Sequence, residues 1–342
     1  MIRITSKPFL IASLFVLITL ASTGLAGCAS TPDESPAENR VADSLAATVT
    51  FEFERGPVGL AMRELAEMSS ISVVLMKGLE LAQTGPHSFL DRPPESIVRK
   101  IARGLGYEVH QAPQYLFVFA PGYEALLEID LEGLLADEVA GRRAEVAFGA
   151  DTPLYSGLGL LGYTLGHTFV ADNAVAGALC GELRLRDVSI AAALTAMLQS
   201  ARLSEGSFRV ESTADYVFLS SVANVSGPRF SGDRAALTTE QQSMLGRRVS
   251  LMLPVREEDP GHIQGHRGAS TLGEVLLELS AQLEITITAD PIMHRLPLNP
   301  VIISDTPIET AMDLIIRQWL IPEFFFEVAG TGIRLRHVPA TR

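Results

Sequence analysis

The chain has only two cysteines, Cys28 and Cys180, in 342 residues. That excludes a disulfide framework and a cysteine-rich metal site. Positive charge is scarce too: 27 Lys and Arg stand against 40 Asp and Glu, a formal net charge of −13. Such a chain has no general attraction for nucleic acid or anionic headgroups, and no nucleic-acid partner is expected. Nucleophile elbows, triad spacings and phosphate-binding loops are missing. No catalytic residue, no cofactor and no enzyme activity are therefore expected. Apolar mass is plentiful: 47% of residues are hydrophobic and 20% charged, ordinary for a globular protein with real cores.

The one long apolar run lies at the N-terminus. Arg3 and Lys7 precede a stretch from Phe9 to Leu20, and small residues then lead to Leu25-Ala26-Gly27-Cys28. Positive, apolar, small is the order of a secretory signal. The alternative is an uncleaved anchor, since Phe9 to Ala26 is marginally long enough to span. Ser22, Thr23 and Gly24 weaken its end, and no basic stop-transfer cluster follows. Leu-Ala-Gly-Cys resembles the lipobox of bacterial lipoproteins. The resemblance implies cleavage after Gly27 and acylation of Cys28, giving stable anchoring by several acyl chains. Ala29 after the cysteine implies the periplasmic face of the outer membrane. Losing Arg3 and Lys7 with the leader leaves 25 basic side chains against 40 acidic ones, a net −15. The polar, proline-containing stretch from Ala29 to Asn39 reads as a tether.

Beyond the tether a unit repeats three times. The first opens with Val49, Phe51 and Phe53 alternating with polar residues, a half-buried strand. Gly56-Pro57 starts a helix whose apolar face is Val58, Ala61, Met62, Leu65 and Ala66. Strands follow at Ile71–Met76 and near His87–Leu90. A second helix begins at Pro94, with Ile97, Ile101 and Leu105 on one face and a Glu95/Arg99 pair on another. Tyr107–His110 and Tyr115–Phe119 close the unit as a hairpin. The last unit repeats this order from Val249, with capping boxes predicted at Thr271/Glu274 and Thr306/Glu309. In the middle unit Asp187 or Ser189 caps the second helix. Its first helix, Leu154 to Tyr163, contains Gly157, Gly159 and Gly162, each costing about 1 kcal/mol in a helix interior, so a short or irregular helix is expected.

These readings predict an α+β chain of three tandem small βαββαββ modules, each with two helices on a small mixed sheet. The expected divisions are a signal peptide at 1–27, lipidated Cys28 and tether at 28–47, and modules at 48–121, 144–222 and 247–338. Linkers are expected at 122–143 and 223–246. The first linker is acidic and half apolar and is expected to pack. The second begins with Ser, Gly and Pro, reads helical from Thr239, and is the hinge candidate.

The runs Val49-Thr-Phe-Glu-Phe, Ala61-Met-Arg-Glu-Leu-Ala, Ile71-Ser-Val-Val-Leu, Gly106-Tyr-Glu-Val and Tyr115–Phe119 resemble the secretin and TonB short N-terminal domain. The second-helix-then-hairpin pattern recurs at Ile190–Val210 and Ile308–Val328. Secretins and TonB-dependent receptors continue into a large outer-membrane β-structure, but no run of ten-residue alternating strands supplies one here. The resemblance implies a lipid-anchored scaffold for protein partners, possible self-association, and a role beside a secretin-type secretion or pilus channel. The alternatives are a signalling module that contacts a membrane regulator and a periplasmic ligand-binding lipoprotein. Other features read as structure. Gly157-Leu-Gly-Leu-Leu-Gly162 fits the dinucleotide pattern, but the preceding strand ends near Phe148, several residues too early, and Asp172 falls only fifteen residues after Gly157. His262 and His266 stand four apart beside Glu257, Glu258 and Asp259, but in a Gly/Pro-rich loop, so no metal site is assigned. Cys180 reads as a half-buried structural cysteine.

Overall fold

The computed structural model describes residues 47–224, 227–253 and 270–338. Cys28, its leader and tether, and the loop holding His262 and His266 lie outside the described residues. The described chain is α+β. Its first unit runs β1 (Val49–Phe53), α1 (Val58–Ser69), β2 (Val73–Leu75), β3 (His87–Arg92), α2 (Pro94–Gly104), β4 (Glu108–Gln111) and β5 (Leu116–Phe119). The second runs β6 (Arg143–Phe148), α3 (Leu154–Leu165), β7 (Thr168–Ala171), β8 (Leu183–Ser189), α4 (Ile190–Ser200), β9 (Phe208–Ser212) and β10 (Tyr216–Ser221). The third runs β11 (Arg248–Leu253), α5 (Leu272–Leu283), β12 (Ile287–Ala289), β13 (Val301–Pro307), α6 (Ile308–Ile316), β14 (Phe324–Ala329) and β15 (Gly332–His337).

The sheets cross the boundaries between units. Among the described residues β1 pairs with β3 alone, while the first unit's other strands join the second unit's pair in the order β4-β5-β2-β8-β6. The same happens one step on, as β9-β10-β7-β13-β11, and the chain finishes with β12-β15-β14. Within each unit the first helix bridges two sheets: α1 packs on β1 and β2, and α3 on β6 and β7. Apolar side chains therefore fill both faces of a shared sheet. Val170 and Phe218 of the second unit belong to the third unit's core.

An aspartate marks the turn from strand to second helix in every unit. Asp91, Asp187 and Asp305 have φ of 49°, 48° and 42°. Each lies where the pairing register slips, between Phe89 and Arg92, Leu185 and Val188, and Ile303 and Thr306. A bulge adds one residue to its strand, and aspartate tolerates the left-handed backbone better than most side chains.

Three expectations give way. The middle unit's first helix is regular and runs twelve residues. Its glycines are contact points: a Cβ at Gly157 would overlap the Met197 methyl, and one at Gly162 would come within 3.1 Å of the His167 carbonyl and 3.4 Å of the Ile302 side chain. Tertiary packing overrides the propensity cost there. The predicted Thr306/Glu309 box does not form. Strand β13 continues to Pro307 and buries Thr306, whose hydroxyl meets Thr168 Oγ1 at 2.8 Å, and Glu309 pairs with Arg234. The Thr271/Glu274 box forms, and Ser189 caps α4. Finally, the hinge candidate is pinned. The Asn224 amide donates to Asp172 and to the Arg317 carbonyl, and Phe230 bridges to Phe326. The first linker packs Leu126, Ile129, Leu131, Leu135 and Val139 into the core.

Candidate functional site

The places where a binding surface can arise are the sheet edges, so the two internal joints come first. At the first joint β2 runs antiparallel to β8, with Val74 opposite Leu183 and Val73 opposite Arg184. The Leu75 N–H donates to the Glu182 carbonyl at 2.8 Å, and Ser72 Oγ accepts the Arg186 N–H at 3.0 Å. The Lys77 N–H donates to the Ser200 carbonyl at 2.8 Å. Ser200 Oγ accepts the Gly181 N–H and donates to the Leu75 carbonyl. A side chain at Gly181 would overlap that carbonyl.

The second joint uses the corresponding residues. β7 runs antiparallel to β13, with Phe169 opposite Ile302. Thr168 Oγ1 accepts the Ser304 N–H at 2.8 Å, as Ser72 does for Arg186. The Asn173 N–H donates to the Gln318 carbonyl at 2.8 Å, as Lys77 does to Ser200. Above each joint the next unit's second helix reaches back to the preceding hairpin. The tenth residue counted from the helix start, which in α6 is the C-terminal cap, makes the contact: Gln199 Oε1 accepts from the Tyr115 hydroxyl at 2.7 Å, and Arg317 donates to Glu211 at 2.5 Å.

The Arg317 site is the most charged of these. Its guanidinium lies 4.3 Å from the Phe218 ring centre, bonds Asp313 at 3.2 Å, and is 4% exposed. Tyr216 donates to Glu211, and the Arg229 N–H donates to Asp313 at 2.6 Å. Burial disfavours the Arg317 charge, but the bonds to Glu211 and Asp313 outweigh it and raise the pKa. Burial likewise opposes ionisation of Glu211, and the bonds from Arg317 and Tyr216 reverse the balance and lower its pKa. For Asp313 burial wins, and its pKa rises. A cleft of ≈ 200 Å³ opens beside this network, and one of ≈ 310 Å³ beside Tyr115 and Gln199.

Among the described residues the ends of the array lack these partners. β3 has β1 on one side and no described strand on the other, and β12 has only β15. The outer faces change character as well. Val74, Phe117, Val170 and Phe218 are buried, whereas the corresponding Thr288 and Arg334 are exposed. At this last face Arg334 pairs with Asp290 and Arg336 with Glu327. On α2, Lys100 and Arg103 are exposed, and Lys100 Nζ stands 5.4 Å from the ring centre of Phe89 on β3.

Of the residues that the sequence singles out, Cys28, His262 and His266 lie outside the described residues. Cys180 is fully buried, its sulfur 3.8 Å from the Met197 carbonyl, and burial pushes its thiol up to about 12. The Gly157/Gly159/Gly162 set lies inside α3, not at a helix start. The open edge of β3 and the exposed pair Lys100 and Arg103 are not legible in isolation. Aligning the units on Asp91, Asp187 and Asp305 exposes them, because it sets Lys100 and Arg103 beside Ala196 and Gln199.

No family model matches the chain, and no curated protein matches it. Among solved structures the chain is similar to the ferripyoverdine receptor of the outer membrane of Pseudomonas aeruginosa bound to ferripyoverdine. Identity is 12% over 54% of this chain and 28% of the receptor's length, with a TM-score of 0.20. A likeness at that level carries no argument about what this chain does.

Proposed function

We propose that the protein is a non-enzymatic lipoprotein of the cell envelope. It is anchored through Cys28, sits at the periplasmic face of the outer membrane, and serves as a protein-interaction scaffold beside a secretin-type secretion or pilus channel. The anchor rests on the lipobox sequence. The binding mode rests on one observation: sheet edges already join the units to one another twice, and the β3 edge has the same form with no described strand against it. An unpaired edge offers a row of backbone donors and acceptors to an incoming strand. Among the described residues no helix is long and apolar enough to cross a membrane; attachment is assigned to the lipidated Cys28.

The test places a photo-crosslinking residue at Ser88 on the β3 edge of the full-length lipoprotein in cells, with a control at exposed Glu240. Secretin or pilus-channel components captured from Ser88 and not from Glu240 are the expected result. Identical products at both positions would defeat the edge reading.

A further inference from the structure

We propose that the open edge of β3 takes an extended acidic strand of a partner protein, running antiparallel to β3 with carboxylates turned toward Lys100 and Arg103. This rests on the edge-scaffold reading above and names the chemistry of its partner.

The two internal joints act as templates. In both, the strand that joins the edge supplies a hydroxyl acceptor, Ser72 or Thr168, to the N–H of the residue before the bulge aspartate. On β3 that residue is Leu90, which is 68% exposed. In both joints, too, the tenth residue counted from the start of the second helix bonds the neighbour's sheet. On α2 that residue is Arg103, exposed and without a partner among the described residues. Arg317 at the equivalent place holds a carboxylate, Glu211. Lys100, the seventh residue, replaces Ala196, which is fully buried at the first joint. It stands over Phe89, the inward side chain of the edge strand itself, so the face of any added strand lies about one strand spacing, roughly 5 Å, away.

Charge decides among occupants. A second copy docking head to tail would put Thr286 at the place of Ser72 and Thr168 and Glu327 at the place of Glu211, but Glu327 is already bonded to Arg336, and Arg334, which stands where Phe218 does, would meet Lys100 and Arg103 as a like charge. Pro291 follows β12 two residues after Ala289, where Lys77 and Asn173 follow β2 and β7. It lacks the N–H that those residues donate to the next helix. The third unit also satisfies its own arginines with Asp290 and Glu327. A lipid surface could meet the lysine and arginine but would leave the backbone edge unpaired. An acidic strand satisfies both the edge and the cations.

The experiment uses full-length protein in zwitterionic micelles. The probe is a fluorescent eight-residue peptide of alternating Glu and Val, with an alternating Lys and Val peptide as the control. The Glu peptide is expected to bind, to weaken at least tenfold in the double variant Lys100→Glu, Arg103→Glu, and to weaken as salt rises. Leu90→Pro, which removes the outward N–H, serves as a second variant, with circular dichroism confirming its fold. Equal binding of both peptides, or no effect of the charge reversal, overturns the acidic-strand assignment while leaving a partner captured at Ser88 intact. Binding of wild type to phosphatidylglycerol vesicles that the charge reversal abolishes, without peptide binding, assigns the cations to lipid and also overturns it. Sedimentation that shows a concentration-dependent oligomer assigns the edge to a second copy, with the same consequence. Loss of Ser88 capture together with absent peptide binding defeats the scaffold reading itself.

Discussion

Helices α2 and α4 hold the same place in their repeats and meet different surroundings. Ten of the eleven residues of α4 are buried, against five of the eleven in α2. The difference follows from what lies beyond each helix. α4 is roofed by the first unit's sheet, whereas α2 has no described sheet above it. Place in the array, more than place in the unit, sets polarity, as in other stacked repeats whose terminal units carry a polar outer face. The two ends are finished differently, however. The last sheet neutralises its arginines internally, and α2 leaves Lys100 and Arg103 exposed beside an open edge.

Matched substitutions can break that comparison. The largest contrast is expected between Arg317→Ala and Arg103→Ala, at one repeat position. The first leaves Glu211 and Asp313 without their buried counter-charge and should cost about 3–5 kcal/mol in denaturant unfolding. The second should leave stability unchanged. Equal losses would mean that the end helix is covered after all.

Gly181 and Gly85 form the next pair. A Cβ at Gly181 meets the Leu75 backbone carbonyl, which cannot move without opening the β2–β8 pairing, while one at Gly85 meets nothing within 4 Å. Gly181→Ala is expected to lose about 3 kcal/mol, at the upper end of overpacking costs. Gly85→Ala should be neutral in the same thermal or chemical melt. A tolerant Gly181 would show that the first joint is looser than its hydrogen bonds imply.

A smaller contrast lies within α3. Gly157→Ala collides with Met197, whereas a Cβ at Gly159 finds open space. Gly159→Ala should stabilise by roughly 0.5–1 kcal/mol through helix propensity, and Gly157→Ala should destabilise.

The smallest effect concerns pH. Glu211 has a lowered pKa in the folded chain, so the stability it contributes is present above the ordinary carboxylate range and is lost as pH falls through the folded value. Glu211→Gln should flatten that acid-side loss in melting curves taken across the range. The raised pKa of Asp313 acts in the opposite direction, which is why the difference between wild type and variant, and not the raw slope, is the readout.

Much of the fold was legible because the periodicities were strong. Val49-Thr-Phe-Glu-Phe, the helix faces from Val58 and Leu272, and the closing hairpins follow directly from alternation and helical spacing. Continuity of the sheets was not legible. β2 and β7 are short apolar runs, and nothing local distinguishes a strand that ends a sheet from one that passes it to the next unit. Thr306 misled for a related reason: a Thr-x-x-Glu signature was consumed by a strand edge before it could cap a helix. The glycines of α3 looked like propensity defects because their value lies in contacts with Met197, His167 and Ile302, all distant in sequence or across a turn. The exposed cations of α2 carried a signal only by comparison with Ala196 and Gln199, since an amphipathic helix with lysine and arginine outward is ordinary in itself.

Amide hydrogen exchange on the full-length protein tests the central claim most directly, because it reads the edge residues one by one. The N–H groups of Arg186 and Ser304, each held by a hydroxyl at an internal joint, should exchange slowly. The N–H of Leu90, at the same position on β3, should exchange fast and become protected when the acidic peptide is added. Slow exchange at Leu90 in the protein alone would mean that the edge is already paired, and the account of an open docking strand would be wrong.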